Sequence, residues 1–312
     1  MTADAAARWH GSPLTIGTSG LGDLGPDGDP LLAPTRTEVE LAIGMLTSPH
    51  RLVDTSNMYA RGRSEAVLGA AIRELDGLPE GTEVLSKADR DLGSGAFDRD
   101  RVWRSFEESR TRLGLERLPL YQLHDPYTVT FEQAMDGANG AVQGLVELRD
   151  QGLIELIGVA AGPSDLLARY VRTGVFDVLL SHNRYTLVDS SAGDLMQEAA
   201  ERGLTVLNAA PFGGGLLANG STNTTRYGYR DAPQELLDWV ARLRQVCADH
   251  GVSTGAVALR FSMRNPAVRS TVVGISSLRR LAELDSLLAE DVPAQLWDDV
   301  AGLGAPPSTL TD

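Results

Sequence analysis

Arg51-Leu-Val-Asp54-Thr-Ser-Asn-Met-Tyr59-Ala-Arg61-Gly62-Arg63-Ser64-Glu65 contains a short apolar run, an acid at its end, a polar turn with a tyrosine, and the start of a helix. The run Leu52-Val53 reads as the end of a buried strand. Asp54 then sits at the strand's C-terminal end and Tyr59 on the loop beyond. An acid and a tyrosine so placed suit a catalytic face. A buried capping Asp and a surface Tyr would give the same letters, so the stretch alone leaves both readings open.

Two further strand ends favour the catalytic reading. One of the 28 basic residues is lysine and the rest are arginine. That single Lys87 ends the run Glu83-Val-Leu-Ser-Lys87-Ala-Asp89. Arginine supplies charge, but its guanidinium cannot tune a neighbouring acid in the same compact way. His124, one of five histidines, ends Leu118-Pro-Leu-Tyr-Gln-Leu-His124-Asp125-Pro126. Three successive strands ending in Asp54, Lys87 and His124, with Tyr59 just past the first, predict one mouth carrying all four. Tyrosine's ordinary pKa near ~10 is too high for an efficient base at neutral pH. A cation beside it favours the phenolate. Lys87 is the candidate cation, Asp54 its orienting partner, and His124 a donor to the substrate oxygen. Such a set gives a proton to a carbonyl oxygen or takes one from a hydroxyl. No side chain can donate hydride, so a nicotinamide cofactor is expected.

The alternation of the whole chain sets the fold class. Apolar runs near 14–17, 52–54, 83–88, 118–124, 154–160, 176–180, 205–208 and 270–274 alternate with helical patterns. The helical patterns include Glu38 to Leu46, Asp98 to Leu113, one long helix from Ala134 to Leu153, Asp165 to Val171 with Ser164 as N-cap, and a last helix from Leu278. About eight βα units without a long linker predict an α/β fold, a (β/α)8 TIM barrel, with its active site at the C-terminal strand ends. A single domain over 1–312 is expected, with irregular tails at about 1–12 and 303–312.

The chain resembles the aldo-keto reductases. Asp54-Thr55, Tyr59 and Gly62-Arg63-Ser64-Glu65 match that family's best-known signature, and Asp54, Tyr59, Lys87 and His124 match its catalytic tetrad in type, order and spacing. The likeness runs from about Leu14 to about Leu288. It implies an NAD(P)-dependent oxidoreductase. Ser181-His-Asn-Arg184-Tyr185-Thr-Leu187 resembles the branch that holds aldose, L-fucose and L-galactose dehydrogenases and pyridoxal 4-dehydrogenases. His124-Asp125-Pro126 and Tyr229-Arg-Asp-Ala-Pro233 fit the same branch. Members oxidise a cyclic hemiacetal to a lactone. A general NADPH-dependent aldehyde or ketone reductase and a cofactor-binding regulatory subunit are the competing expectations.

The cofactor is expected in the loops after the last two strands, a common phosphate site of barrels. The candidates are Thr18 and Ser19 after the first strand, Pro211, Phe212, Gly213, Gly215 and Leu216 after the seventh, and Gly274, Ser276, Ser277 and Arg280 after the eighth. Three family positions differ: Ala160-Ala161 replace a carboxamide-holding Ser-Asn, Ala209 replaces a stacking aromatic, and Leu284 replaces an Asn toward adenine. Arg279-Arg280 stand in the first turn of the last helix, where a cation is unfavourable unless an anion binds nearby. The 2′-phosphate of NADP is such an anion, so the reading leans to NADP with NAD accepted. Arg61, Tyr127, Arg184 and Tyr185 are the candidate substrate contacts. The Arg61-Gly62-Arg63 turn reads equally as a solvated turn.

A formal charge of -14 argues against nucleic acid or an anionic membrane as partner. One cysteine, Cys247, leaves no internal disulfide. Residues 1–10 lack the apolar run of a signal peptide. A cytoplasmic enzyme of small molecules is expected, a monomer or small homo-oligomer that needs no metal.

Overall fold

The structure, a computed structural model, describes residues 12–25, 28–218, 224–228 and 230–307. Tyr229 and most of the two expected tails lie outside these residues. Eight parallel strands close a barrel: β1 (Leu14–Gly17), β2 (Leu52–Asp54), β3 (Glu83–Ala88), β4 (Leu118–His124), β5 (Ile154–Ala161), β6 (Val178–His182), β7 (Thr205–Ala209) and β8 (Ser270–Gly274). Each pairs with its neighbours in the chain, and β8 closes onto β1 from Leu14↔Thr271 to Gly17↔Gly274.

The two-residue period of a strand explains what reaches the mouth. Leu52, Leu85, Leu120, Leu156, Leu180, Leu207 and Val272 fill the barrel interior. Side chains alternate, so the residue two beyond an inward leucine also faces inward. Asp54 stands two beyond Leu52, Lys87 two beyond Leu85, and His124 four beyond Leu120. All strands are parallel, so these inward polar residues form one layer at the C-terminal end. Outward residues such as Val53, Val84, Tyr121 and Ile157 pack against the helical layer.

That layer comprises α1 (Arg36–Leu46), α2 (Arg63–Glu74), α3 (Arg99–Leu113), α4 (Ala141–Asp150), α5 (Ser164–Val171), α6 (Gly193–Glu201), α7 (Gln234–Asp249), α8 (Thr254–Met263), α9 (Leu278–Ala289) and α10 (Ala294–Gly302). Among the described residues, no helix is long and apolar enough to cross a membrane.

Three expectations need correction. The helix expected from Ala134 to Leu153 is two, a single turn at Phe131–Ala134 and then α4. Between them the Asp136 carboxylate accepts from the backbone N–H groups of Ala138 and Asn139, which competes with helix formation. Gly140 is extended there, and a Cβ on it would meet the Asp136 backbone at 2.6 Å. Ser164 is the first helical residue of α5, and the N-cap is Pro163. Strand β6 begins at Val178, because Asp177 is the residue that ties back to β5: its N–H donates to Ile157 O and its carboxylate accepts from Ile157 N. The shift carries His182, rather than Leu180, to the mouth. Between β7 and α7, Arg226–Tyr227 and Arg230–Asp231 pair as a two-stranded antiparallel ribbon. Helix α10 reaches Gly302 and was absent from the sequence reading; its His250 and Trp239 contacts, to Asp299 and Gly304, lock it onto α7.

Candidate active site

The four predicted residues meet. Lys87 Nζ donates to Asp54 Oδ2 at 2.5 Å, to Thr55 O at 2.7 Å and to the Tyr59 hydroxyl at 3.3 Å. Its three N–H bonds are thereby all used, which fixes the ammonium. Asp54's other oxygen accepts from Gln122 Nε2 at 3.2 Å. Lys87 and Asp54 are almost wholly buried, at 1% and 2% exposure, so their pairing is little screened. The His124 ring stands edge-on to Tyr59, 5.7 Å between centroids.

Around His124 lies a shell that the sequence reading missed. Its Nδ1 is 2.7 Å from Asp89 Oδ1 and 3.1 Å from Ser56 Oγ. Burial opposes charging the ring, but the Asp89 and Asp125 carboxylates together outweigh it and hold the His124 pKa above its ordinary value. The apolar run ending at Lys87 could have flagged Asp89, two residues on and again inward. Asp125 is held well below the carboxylate range, against the cost of burial, by His182, 3.3 Å away, and by the charge of His124.

A cavity of about 580 Å³ starts at Asp54, Met58, Tyr59 and His124 and runs along the exits of β7 and β8 to Arg280, Glu283, Leu284 and Leu287. Of the cofactor candidates, Ser19, Pro211, Phe212, Gly215, Gly274, Ser276 and Arg280 line it. The remaining candidates lie off it. Thr18 is buried beneath, with its hydroxyl donating to Asp54 O and accepting from Ser64. Gly213 is pressed against the Tyr227 ring, where a Cβ would come within 2.7 Å. Leu216 packs with Leu236 and Leu243. Ser277 caps α9, accepting from Arg280 N.

The substrate candidates fare less well. Arg61 turns to the carbonyl of Gly28. Its neighbour Arg63 is buried and paired with Glu38 on α1, so the turn is neither substrate-facing nor solvated throughout. Tyr185 stacks on Phe261 of α8, 5.0 Å between centroids, and Arg184 is buried outside the cavity lining. Tyr127 is half exposed and outside the cavity lining, its hydroxyl accepting from Gly162 N. In place of Arg184 and Tyr185, His182 and Asn183 line the cavity. Asn183 has left-handed backbone, φ 62°, and its carbonyl accepts from the Tyr227 hydroxyl at 2.6 Å. The ribbon thus pins the exit of β6.

The cleft fits a dinucleotide. Gly215 and Gly274 leave its walls open to close backbone approach, and Ser276 and Arg280, at the start of α9, line it. Arg280 is 3.0 Å from Glu283 on the same helix, so a carboxylate already offsets the cation at this N-terminus.

A parallel barrel that gathers an acid, a lysine, a tyrosine and a histidine at one end of such a cleft defines an NAD(P)-dependent oxidoreductase acting on CH–OH and C=O groups. The chain belongs to the aldo/keto reductase family, whose sequence model matches residues 13–303. It is 33% identical over 207 residues to a D-threo-aldose 1-dehydrogenase of Pseudomonas sp, covering 66% of this chain and 62% of that protein's length. It is 28% identical to an L-galactose dehydrogenase of Arabidopsis thaliana, over 87% of this chain and 82% of that one. A pyridoxal 4-dehydrogenase of Microbacterium luteolum is 27% identical, over 81% and 84%. The fold is also that of an aldo-keto reductase from Bacillus halodurans, with a TM-score of 0.75 and 19% identity over 93% of this chain and 91% of that one.

Proposed function

We propose that the protein oxidises the anomeric hydroxyl of an aldose, or a similar cyclic hemiacetal, to a lactone, with Tyr59 as acid/base. The observation that carries the reading is the Lys87 ammonium, held by Asp54 and in hydrogen-bonding range of the Tyr59 hydroxyl. A fixed cation there favours the phenolate that can take the substrate's hydroxyl proton. The C–H bond on the same carbon breaks with its electron pair, and the C–O bond becomes a carbonyl. When bound, a nicotinamide supplies the hydride acceptor, or the donor in the reverse direction. His124 faces the substrate oxygen and fixes its angle. Ser19, Phe212, Gly215, Gly274 and Ser276 would hold the dinucleotide along the cleft. The sugar class rests on the aldose and L-galactose dehydrogenases among the relatives.

For NADP, Arg280 must turn from Glu283 to the 2′-phosphate. That competition makes the preference for NADP small and leaves NAD acceptable. The test is initial rates with a panel of aldoses under NAD+ and NADP+, with the lactone identified. Turnover of aldehydes and ketones with NADPH, but of no aldose, would make the protein a general reductase. Cofactor binding without any turnover would make it a binding subunit.

A further inference from the structure

Asp89 is 1% exposed, and both carboxylate oxygens are engaged. Oδ1 meets His124 Nδ1 at 2.7 Å; Oδ2 accepts from Ser56 Oγ at 2.5 Å and from Met58 N at 2.9 Å. Its own N–H donates to Ser105 Oγ, and its carbonyl accepts from Arg101 Nε, both on α3. A carboxylate can only accept, so Nδ1 must carry a proton. That leaves Nε2 as the ring nitrogen for the cavity.

We propose that Asp89 is a positioning residue for the reaction: it locks His124 with its proton on Nδ1, so that Nε2 meets the substrate oxygen. With the ring doubly protonated, Nε2 donates to the substrate oxygen, hydroxyl or carbonyl alike, and the hydroxyl's own proton goes to Tyr59. One residue thereby serves both directions of the reaction, and the inference rests on the oxidoreductase reading above. The charged and titratable groups around the ring are Lys87 from β3, Asp89 just past that strand, Tyr59 from the β2 loop, and Asp125, whose Oδ2 is 3.8 Å from Nε2 and which itself faces His182 of β6. The anions outweigh Lys87, consistent with the raised His124 pKa.

Asp89→Asn tests this. The amide's single oxygen is claimed by the Met58 N–H, which turns the NH2 toward Nδ1. The neutral ring must then move its proton to Nε2. Nitrogen-15 NMR of the full chain, with labelled histidine and no substrate, reads tautomer and titration together. In its neutral form the wild-type ring is expected to carry its proton on Nδ1, with the second proton leaving Nε2 at a pKa above the ordinary ~6.5. In Asp89→Asn the proton should sit on Nε2 and the titration should move down. kcat/KM should fall about 100-fold with cofactor affinity unchanged, on the scale of a positioned acid/base. A neutral wild-type ring protonated on Nε2, or a titration unmoved by the substitution, overturns the proposal. If Asp89→Asn fails to fold, the wild-type tautomer decides. The NMR result needs no turnover, so it stands apart from the fate of the sugar-dehydrogenase reading.

Discussion

Lys87 has three hydrogen-bond partners for three N–H bonds, and its side chain is 1% exposed. A guanidinium is larger, planar and forked, so Lys87→Arg keeps the charge but cannot keep this geometry. We expect kcat to fall by about 100-fold or more in Lys87→Arg and in Tyr59→Phe, with little change in cofactor affinity; stopped-flow turnover beside cofactor titration measures both. At Arg280, the Glu283 carboxylate sits 3.0 Å away. Arg280→Ala should weaken NADP selectively, and Glu283→Gln should strengthen it, by about tenfold for one partly buried charge pair in kcat/KM ratio. Equal effects on NAD and NADP would leave Arg280 a surface charge. Asp54, Lys87 and His124 were legible in the sequence because each ends an apolar run, apolar runs announce strands, and Tyr59 stands just past the first of them. Arg184 and Tyr185 lie off the cavity lining, which the sequence does not show because nothing local says that the chain turns left-handed at Asn183. That turn sends Tyr185 into packing and leaves His182 and Asn183 at the cavity.

Helices α2 and α3 approach so closely that a Cβ at Gly69 would lie 1.9 Å from the carbonyl oxygen of Arg112. Helix propensity alone would make Gly69→Ala stabilising by ~0.5–1 kcal/mol. Overpacking costs ~1–3 kcal/mol, and backbone cannot step aside as a side chain can, so the clash wins. Thermal unfolding should show a lower Tm in Gly69→Ala; a raised Tm would mean that the helices separate freely. Helix α1 is tied to α2 by Arg63, which donates to Glu38 Oε2 at 2.8 Å. The Arg63 guanidinium holds the Glu38 carboxyl down to about 2 from 4.5, against a smaller burial cost. A lowered folded pKa stabilises at and above the ordinary carboxylate range and loses that stability as pH falls from about 4.5 to about 2. Over that window Tm should fall less steeply in Glu38→Gln than in wild type. The capping box at Thr35 was open to reading, since Thr35-Arg-Thr-Glu38 is its signature. The division of the helix expected from Ala134 to Leu153 was not, because it depends on Asp136 capturing the backbone locally and on Gly140 fitting against it.

At the scale of the molecule, the eight-fold alternation was enough to give the barrel, and the barrel is what turns scattered strand ends into one site. Distances set by parallel register, Asp54↔Leu85 and Lys87↔Gln122 among them, are invisible in a linear reading. So is the second apolar cluster, in which α10 and the Tyr227 ribbon join α7 and α8. The central claim is that this mouth moves a hydride from the anomeric carbon while Tyr59 moves the proton. An aldose deuterated at C1, incubated with NAD+ or NADP+, tests it most directly through the mass of the reduced nicotinamide. The account predicts one deuterium gained with wild type and none above background with Tyr59→Phe. Lactone formed without label in the nicotinamide, or full label transfer by Tyr59→Phe at the wild-type rate, would contradict it.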